Sequence, residues 1–196
     1  MIVKSMQAYH VGVAAEAFAA ALFAQVGCDV LVQYGANQPE YDLLVSRGGH
    51  ALHVSVKGSQ DGGWGLNQNF KKNRTYHEAV NAWVAAHKNQ NIVYCFVQFQ
   101  GTKLGECPRV YLARIDEIAK RLTDSRNGAG ETILWENVCR KRGIAKGCTD
   151  KIPSESAFSK ERVSHFLPVS IPYIASPRLV NPEDTDDFEL QVVSAN

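Results

Sequence analysis

Residues 39–60 read PEYDLLVSRGGHALHVSVKGSQ, and the fold turns on how they pair. Residues 41–45 alternate around Asp42 and Leu44, and Leu52, Val54 and Val56 alternate with His53, Ser55 and Lys57. That two-residue period is the mark of strands with one apolar and one polar face. Arg47, Gly48 and Gly49 supply the turn between them, so the stretch reads as a β-hairpin. A two-residue loop at Arg47 and Gly48, or a four-residue loop over 46–49, sets Asp42 opposite His53, and paired residues point to one side of a sheet. Asp42, His53, Ser55 and Lys57 then share the polar face. A five-residue loop would move Asp42 to the apolar face, because a slip of one residue inverts every side chain.

Working upstream, residues 12–26 are alanine-rich and apolar nearly all round, which predicts a helix buried on most faces. Glu16 is the exception. It is either a first-turn acid favoured by the helix dipole or a carboxylate aimed at the hairpin. Gly27 closes the helix, residues 28–34 (CDVLVQY) read as a strand, and 35–39 connect it to the hairpin.

Downstream, residues 58–73 are rich in Gly, Asn and Gln and read as a loop beside the hairpin, with Gln60, Lys71, Lys72 and Arg74 in or just after it. As a plain solvated loop these side chains do nothing; as a site margin they would meet a ligand. Thr75 and Glu78 form a capping box that opens a helix running to about residue 88. Tyr76, Ala79, Val80, Trp83, Val84 and His87 fall on one stripe, a core-facing pattern, and His77 lies off it. Residues 91–99 are a continuous apolar run, predicting a central strand covered on both faces. Residues 109–113 are a shorter strand, and 115–122 an amphipathic helix. The order α-β-β-β-α-β-β-α predicts an α/β fold with a mixed sheet and helices on both sides.

Beyond a polar break at 124–130, residues 131–138 fit strand or helix equally. Arg140, Lys141, Arg142, Lys146 and Lys151 make a basic cluster, which is a solvated face or a place where nucleic acid approaches. Residues 159–167 read as a short helix, and prolines at 168, 172 and 177 oppose regular structure after it. The expected organisation is a core over 1–122, an irregular C-terminal extension over 123–175 packed on it, and a flexible acidic tail over 176–196.

The chain has 196 residues, 45% of them hydrophobic, enough for one well-filled core. No apolar run reaches membrane-span length and the start does not resemble a signal peptide, so a cytoplasmic protein with no membrane partner is expected. The five cysteines are odd in number with no C-x-x-C pair, which predicts mostly buried thiols rather than a disulfide framework or zinc ribbon. The histidines show no ligand spacing, so any metal should be a hard, oxygen-bound one. Residues 176–196 hold one arginine against five carboxylates, net −4, so the remaining residues carry +5 of the overall +1. A basic body with an acidic tail suits a phosphate-binding protein and also an ordinary domain.

An acid on one strand and a lysine on the next resemble the PD-(D/E)XK nucleases, the restriction-endonuclease-like superfamily that includes Holliday-junction resolvases. The matching positions are Asp42, then Ser55-Val56-Lys57, with Glu16 on the preceding helix, and the similarity in order and spacing runs to about residue 120. Ser55 departs from the pattern, since the family has a carboxylate or sometimes a glutamine there. The resemblance implies a restriction-endonuclease-like mixed sheet flanked by helices and a Mg2+ or Mn2+ ion, weakly bound by Asp42 and Glu16. Lys57 would position or help deprotonate the attacking water. Ser55 would bind only through its neutral oxygen, and Glu40 is a substitute carboxylate. His53, Gln60, Lys71, Lys72 and Arg74 would contact nucleic acid, DNA rather than RNA, and a homodimer is left open. The implied function is a metal-dependent endonuclease hydrolysing phosphodiester bonds. The alternative is a catalytically impaired nuclease-like protein that binds nucleic acid or a protein partner. In a third reading the polar face of the hairpin meets only solvent.

Overall fold

A computed structural model describes residues 6–33, 41–87 and 91–168. A five-stranded mixed sheet in the order β1-β2-β3-β5-β6 forms its middle layer. The strands are β1 (Asp29–Val32), β2 (Leu43–Arg47), β3 (His50–Ser59), β5 (Ile92–Gln98) and β6 (Arg109–Arg114), and only the β3/β5 pair is parallel. Helices α1 (Ala8–Gln25) and α4 (Lys160–Phe166) cover one face, where Ala15, Ala19, Phe23 and Val163 pack on Val54, Val56, Cys95 and Leu112. Helices α2 (Tyr76–His87) and α3 (Ile115–Asp124) cover the other, with Trp83, Val80 and Ile118 against Tyr94 and Phe96. Every residue of β5 is buried, as expected for a strand flanked by two helical layers. This mixed sheet between helices matches the general restriction-endonuclease-like architecture at a coarse level.

The parallel pair fixes which parts of the chain meet. Since α2 carries the chain from β3 back to the start of β5, its first turn lies at the carboxyl end of β3. Strand β6 runs antiparallel to β5, with Arg109 opposite Gln98, and α3 returns toward the same end. The carboxyl end of β3, the start of α2 and the chain after α3 therefore gather at one end of the sheet.

The hairpin turns at Gly48 and Gly49, both at positive φ, and pairs Arg47 with His50 and Leu44 with His53. Two adjacent left-handed residues are what a tight hairpin turn needs, and two glycines adopt them without strain. The pairing is therefore two residues away from the expected one: continued past Leu43 and Val54 it sets Asp42 beside Ser55, and His53 faces Leu44. A shift of two preserves the face. Arg47 then bonds outward, to the carbonyls of Val26 and Leu167 and to Ser164 Oγ, tying the hairpin to the ends of α1 and α4.

Several expectations need correction. Helix α1 is not buried on most faces; only the stripe Val11, Ala15, Ala19 and Phe23 is, and Tyr9 and Val13 stand in solvent. Among the described residues one layer lies against it, and small alanines on its outer side expose little apolar area. Residues 58–73 are not one irregular loop. Strand β3 continues to Ser59, β4 (Gly63–Gly65) pairs with β7 (Ile133–Trp135), and Gln68–Phe70 form a 3-10 turn. A Cβ at Gly63 would lie 2.9 Å from Ile133 and Trp135 side-chain atoms, so glycine here marks a close strand contact. Of residues 131–138, read as strand or helix, 133–135 are strand in β7 and 137–138 open β8 (Asn137–Cys139), which pairs with β9 (Thr149–Lys151). Two of the five cysteines, Cys28 and Cys95, are buried, while Cys107 and Cys139 are exposed.

The capping box holds: Glu78 Oε2 accepts from Thr75 N–H at 2.7 Å and from the Thr75 hydroxyl at 2.9 Å. These bonds set the Glu78 carboxyl below the usual range. The C-terminal segment is latched to the core. Arg162 donates to the Leu112 carbonyl and to Glu117, and Phe158 N–H donates to the Val110 carbonyl. Glu136 takes Arg109 at 2.6 Å and the Tyr111 hydroxyl at 2.7 Å. Burial raises the Glu136 carboxyl, yet those bonds outweigh it and hold the group below its ordinary value; Tyr111, partly buried and facing that carboxylate, is pushed up to about 12. Residues 176–196, expected to be a flexible tail, and Glu40 lie outside the described residues.

Candidate functional site

Strand β3 outruns its neighbour β2. The Asp42 N–H still donates to the Val54 carbonyl at 2.9 Å, so the polar groups of residue 54, and of residue 56 two further on, point toward β2. Among the described residues no strand continues there to receive the Val56 N–H. The Asp42 carboxylate takes it at 2.5 Å, standing where the next rung would have been, and the buried Ser55 hydroxyl approaches the same oxygen at 3.5 Å.

Glu16 enters from α1. Its neighbour Ala15 is pressed on β3 at Gly58, where a Cβ would lie 2.8 Å from the Val11 carbonyl oxygen and 2.9 Å from the Ala15 Cβ. That contact brings the helix down onto the strand and Glu16 into the field of the hairpin. Burial raises the Glu16 carboxyl above its ordinary value, the Asp42 carboxylate raises it further, and the Lys57 ammonium opposes both. Asp42 and Lys57 thus both reach Glu16, with opposite sign.

Beside Lys57 a cleft of about 330 Å³ opens at the carboxyl end of β3, lined by Val11, Gly58, Gln60, Asp61 and Trp64 among others. Gln98, wholly buried, donates to Ser59 Oγ at 3.2 Å, and that hydroxyl donates to Asp61 Oδ1 at 2.8 Å. This polar relay aims Asp61 at the rim of the cleft. No family model, no curated protein and no solved structure matches the chain. The PD-(D/E)XK assignment therefore has no sequence support beyond the motif itself.

The donor set bears on the expected metal. Among the described residues no group of three or more His, Cys, Asp or Glu is placed to hold an ion. Glu16 and Asp42 are the two carboxylates that would do so, and magnesium is often held by one or two carboxylates together with substrate oxygens. One Asp42 oxygen is already engaged by Val56 and Ser55.

The remaining sequence candidates divide. His53 lies on the hairpin and stacks on Tyr41 with ring centroids 4.1 Å apart. Gln60 is engaged at both ends of its amide, accepting from Met6 N–H at 3.0 Å and donating to the Met6 carbonyl at 2.7 Å, so it anchors the start of α1. Lys71, Lys72 and Arg74 stand at the start of α2, at the same end of the sheet as the cleft. The basic cluster at 140–151 breaks up: Arg140 pairs with Asp150 at 3.0 Å and Glu131 at 3.3 Å, whereas Lys141, Arg142, Lys146 and Lys151 are exposed. Sequence reading missed Asp61 and Trp64 because they sit in glycine-rich chain. The Ser59-x-Asp61 spacing, able to form a local side-chain bond, was the available signal.

Proposed function

We propose that this chain is a nuclease-fold protein that binds nucleic acid, DNA in preference to RNA, through a site whose hydrolytic centre is impaired. The observation carrying this reading is the Ser55 hydroxyl directed at Asp42 where the resembled family has a carboxylate. Two carboxylates at that separation repel unless a cation lies between them, and a hydroxyl does not. The pair Asp42 and Ser55 is therefore stable in the absence of metal. Asp42 serves the strand by capping Val56 N–H, and Lys57, at the cleft, offers its ammonium to a phosphate.

A second reading, a weakened magnesium-dependent endonuclease, is favoured by the reach of both Asp42 and Lys57 to Glu16. A divalent ion bound there would neutralise phosphate charge and acidify a water. In that reading Glu16 and Asp42 hold the ion and Lys57 orients the water.

Binding and cleavage of single-stranded, duplex and branched DNA, with RNA alongside, in magnesium, manganese or chelator, separate the two. The proposal expects DNA binding that survives chelator, with no metal-dependent cleavage. Cleavage that is lost in chelator and in Lys57→Ala would overturn it in favour of the endonuclease. Absence of binding to every nucleic acid would leave a protein partner as the function. Ser55→Glu should tighten magnesium by placing a charged oxygen beside Asp42; unchanged metal affinity in a folded variant would remove position 55 from any metal site.

A further inference from the structure

Four cations stand at the start of α2, where the Glu78 carboxylate, held low by the Thr75 bonds and also by Arg74 and Lys71, offsets only part of their charge. The Lys71 ammonium lies 4.7 Å from the centre of the Tyr76 ring, and the Arg126 guanidinium, from the turn after α3, lies 5.1 Å from the centre of the same ring. Lys71 also donates to the Arg74 carbonyl at 2.5 Å, and the Arg74 guanidinium donates to the Phe70 carbonyl at 3.2 Å, so both side chains are held in place. Lys72 and Arg74 are exposed. Among the described residues none of the four has a carboxylate oxygen within ion-pair distance. The acids nearby are already committed. Glu78 holds the Thr75 cap, Asp124 pairs with Lys120 at 2.6 Å, and Asp150 accepts from the Arg126 backbone and pairs with Arg140.

The two segments that bring these cations together are fitted to one another. Arg126 and Asn127 both adopt left-handed backbone, at φ 58° and 59°, and Gly130, at φ 81°, passes so close to α2 that a Cβ there would lie 2.7 Å from Tyr76 Cβ. His77 Nε2 lies 2.9 Å from the Gly128 carbonyl oxygen, a further bond across the seam. Left-handed backbone at two consecutive non-glycine residues costs free energy, so the turn is held by its surroundings. Its result is to set Arg126 over a ring that already carries Lys71. The negative face of the ring attracts both cations and partly offsets their mutual repulsion, but it leaves their net charge uncompensated. A fixed array of several positive charges from two chain segments suits a polyanion better than a single small anion.

We infer that Lys71, Lys72, Arg74 and Arg126, organised around Tyr76, form a second phosphate-backbone contact for the same nucleic acid that the hairpin cleft receives. This rests on the nucleic-acid reading above and extends its footprint from the hairpin to the C-terminal segment. Position supports continuity, because the cleft at Lys57, the start of α2 and the turn after α3 share the carboxyl end of β3. The contact is to backbone, with no base readout required, so it raises affinity without sequence preference.

The test is fluorescence anisotropy of a labelled random-sequence DNA duplex across a salt series, with wild type, Arg126→Gln, Lys72→Glu and Lys57→Ala, each checked for native circular dichroism and melting. Loss of one phosphate contact should reduce the slope of log affinity against log salt by about 0.9, and weaken binding about eightfold near ~0.1 M salt. Arg126→Gln should do so, and Lys72→Glu, on an exposed side chain that folding does not require, at least as strongly. Wild-type affinity and slope in both folded variants, with Lys57→Ala impaired, would overturn the second contact and leave the nucleic-acid reading standing. Wild type that binds no duplex would overturn the second contact, and the nucleic-acid reading would fall with it only if single-stranded DNA, branched DNA and RNA are not bound either.

Discussion

Arg140 meets two carboxylates, Asp150 at 3.0 Å and Glu131 at 3.3 Å, where all three side chains are largely buried. Lys57 and Asp42, by contrast, act on Glu16 in opposite directions beside an open cleft. Each cluster has one cation and two acids, but only the first is closed. In the closed cluster the charges hold the β8/β9 ribbon and the turn at Arg126 in place. In the open one, burial and Asp42 raise Glu16 against the pull of Lys57, and that cation borders a cleft, which sets the arrangement apart from a closed structural cluster.

The largest effect expected from this contrast is on Arg140. Arg140→Ala leaves Glu131 and Asp150 buried without their cation and should destabilise the fold by about 3–5 kcal/mol in urea or thermal melts. A loss well under that would mean water reaches the cluster and the contrast fails. Asp42→Ala strips the acceptor from Val56 N–H and should cost about 1–3 kcal/mol, with Asp42→Asn recovering most of it because its side-chain oxygen still accepts. If Asp42→Ala melts like wild type but loses ligand, Asp42 belongs wholly to the site and has no strand duty.

The smallest effect has the opposite sign. Burial and Asp42 raise the Glu16 carboxyl, so the folded chain holds that proton more tightly than the unfolded chain. Stability is therefore lost as pH rises through the ordinary carboxylate value toward the raised one, and the loss is complete above it. Glu16→Gln should raise the melting temperature slightly at neutral pH and leave it unchanged at pH below the carboxylate range. A lower melting temperature at neutral pH would show that Glu16 has a stabilising partner, and the open cluster would not be open.

Most of the core was legible because its signals are local. The apolar run at 92–98, the Thr75/Glu78 box and the alternation around Val54 each carry their own period or cap. Strand β4 was not, because the partner that makes Gly63–Gly65 a strand lies some seventy residues away in β7, and a glycine-rich stretch viewed alone has no side chains to announce a strand. The hairpin face survived an error in register because the error was an even number of residues. Arg140 reads like its basic neighbours in sequence; only the fold reveals that Asp150 and Glu131 surround it. For the site, residue types were legible and their engagement was not. Nothing in the letters says that Gln60 is occupied with Met6 or that Ser55 leans on Asp42.

Gly58 has the backbone of α1 resting directly on it, with the Val11 carbonyl oxygen and the Ala15 Cβ inside the space any side chain would need. Position 58 is in that sense a shim of zero thickness between helix and strand. A series from glycine through alanine to serine and valine would insert shims of increasing thickness, lifting α1 and carrying Glu16 away from Asp42 and Lys57. The separation of the charges at the hairpin is thereby adjustable from a residue that bears none, which gives a way to grade their coupling while every charged side chain stays in the chain.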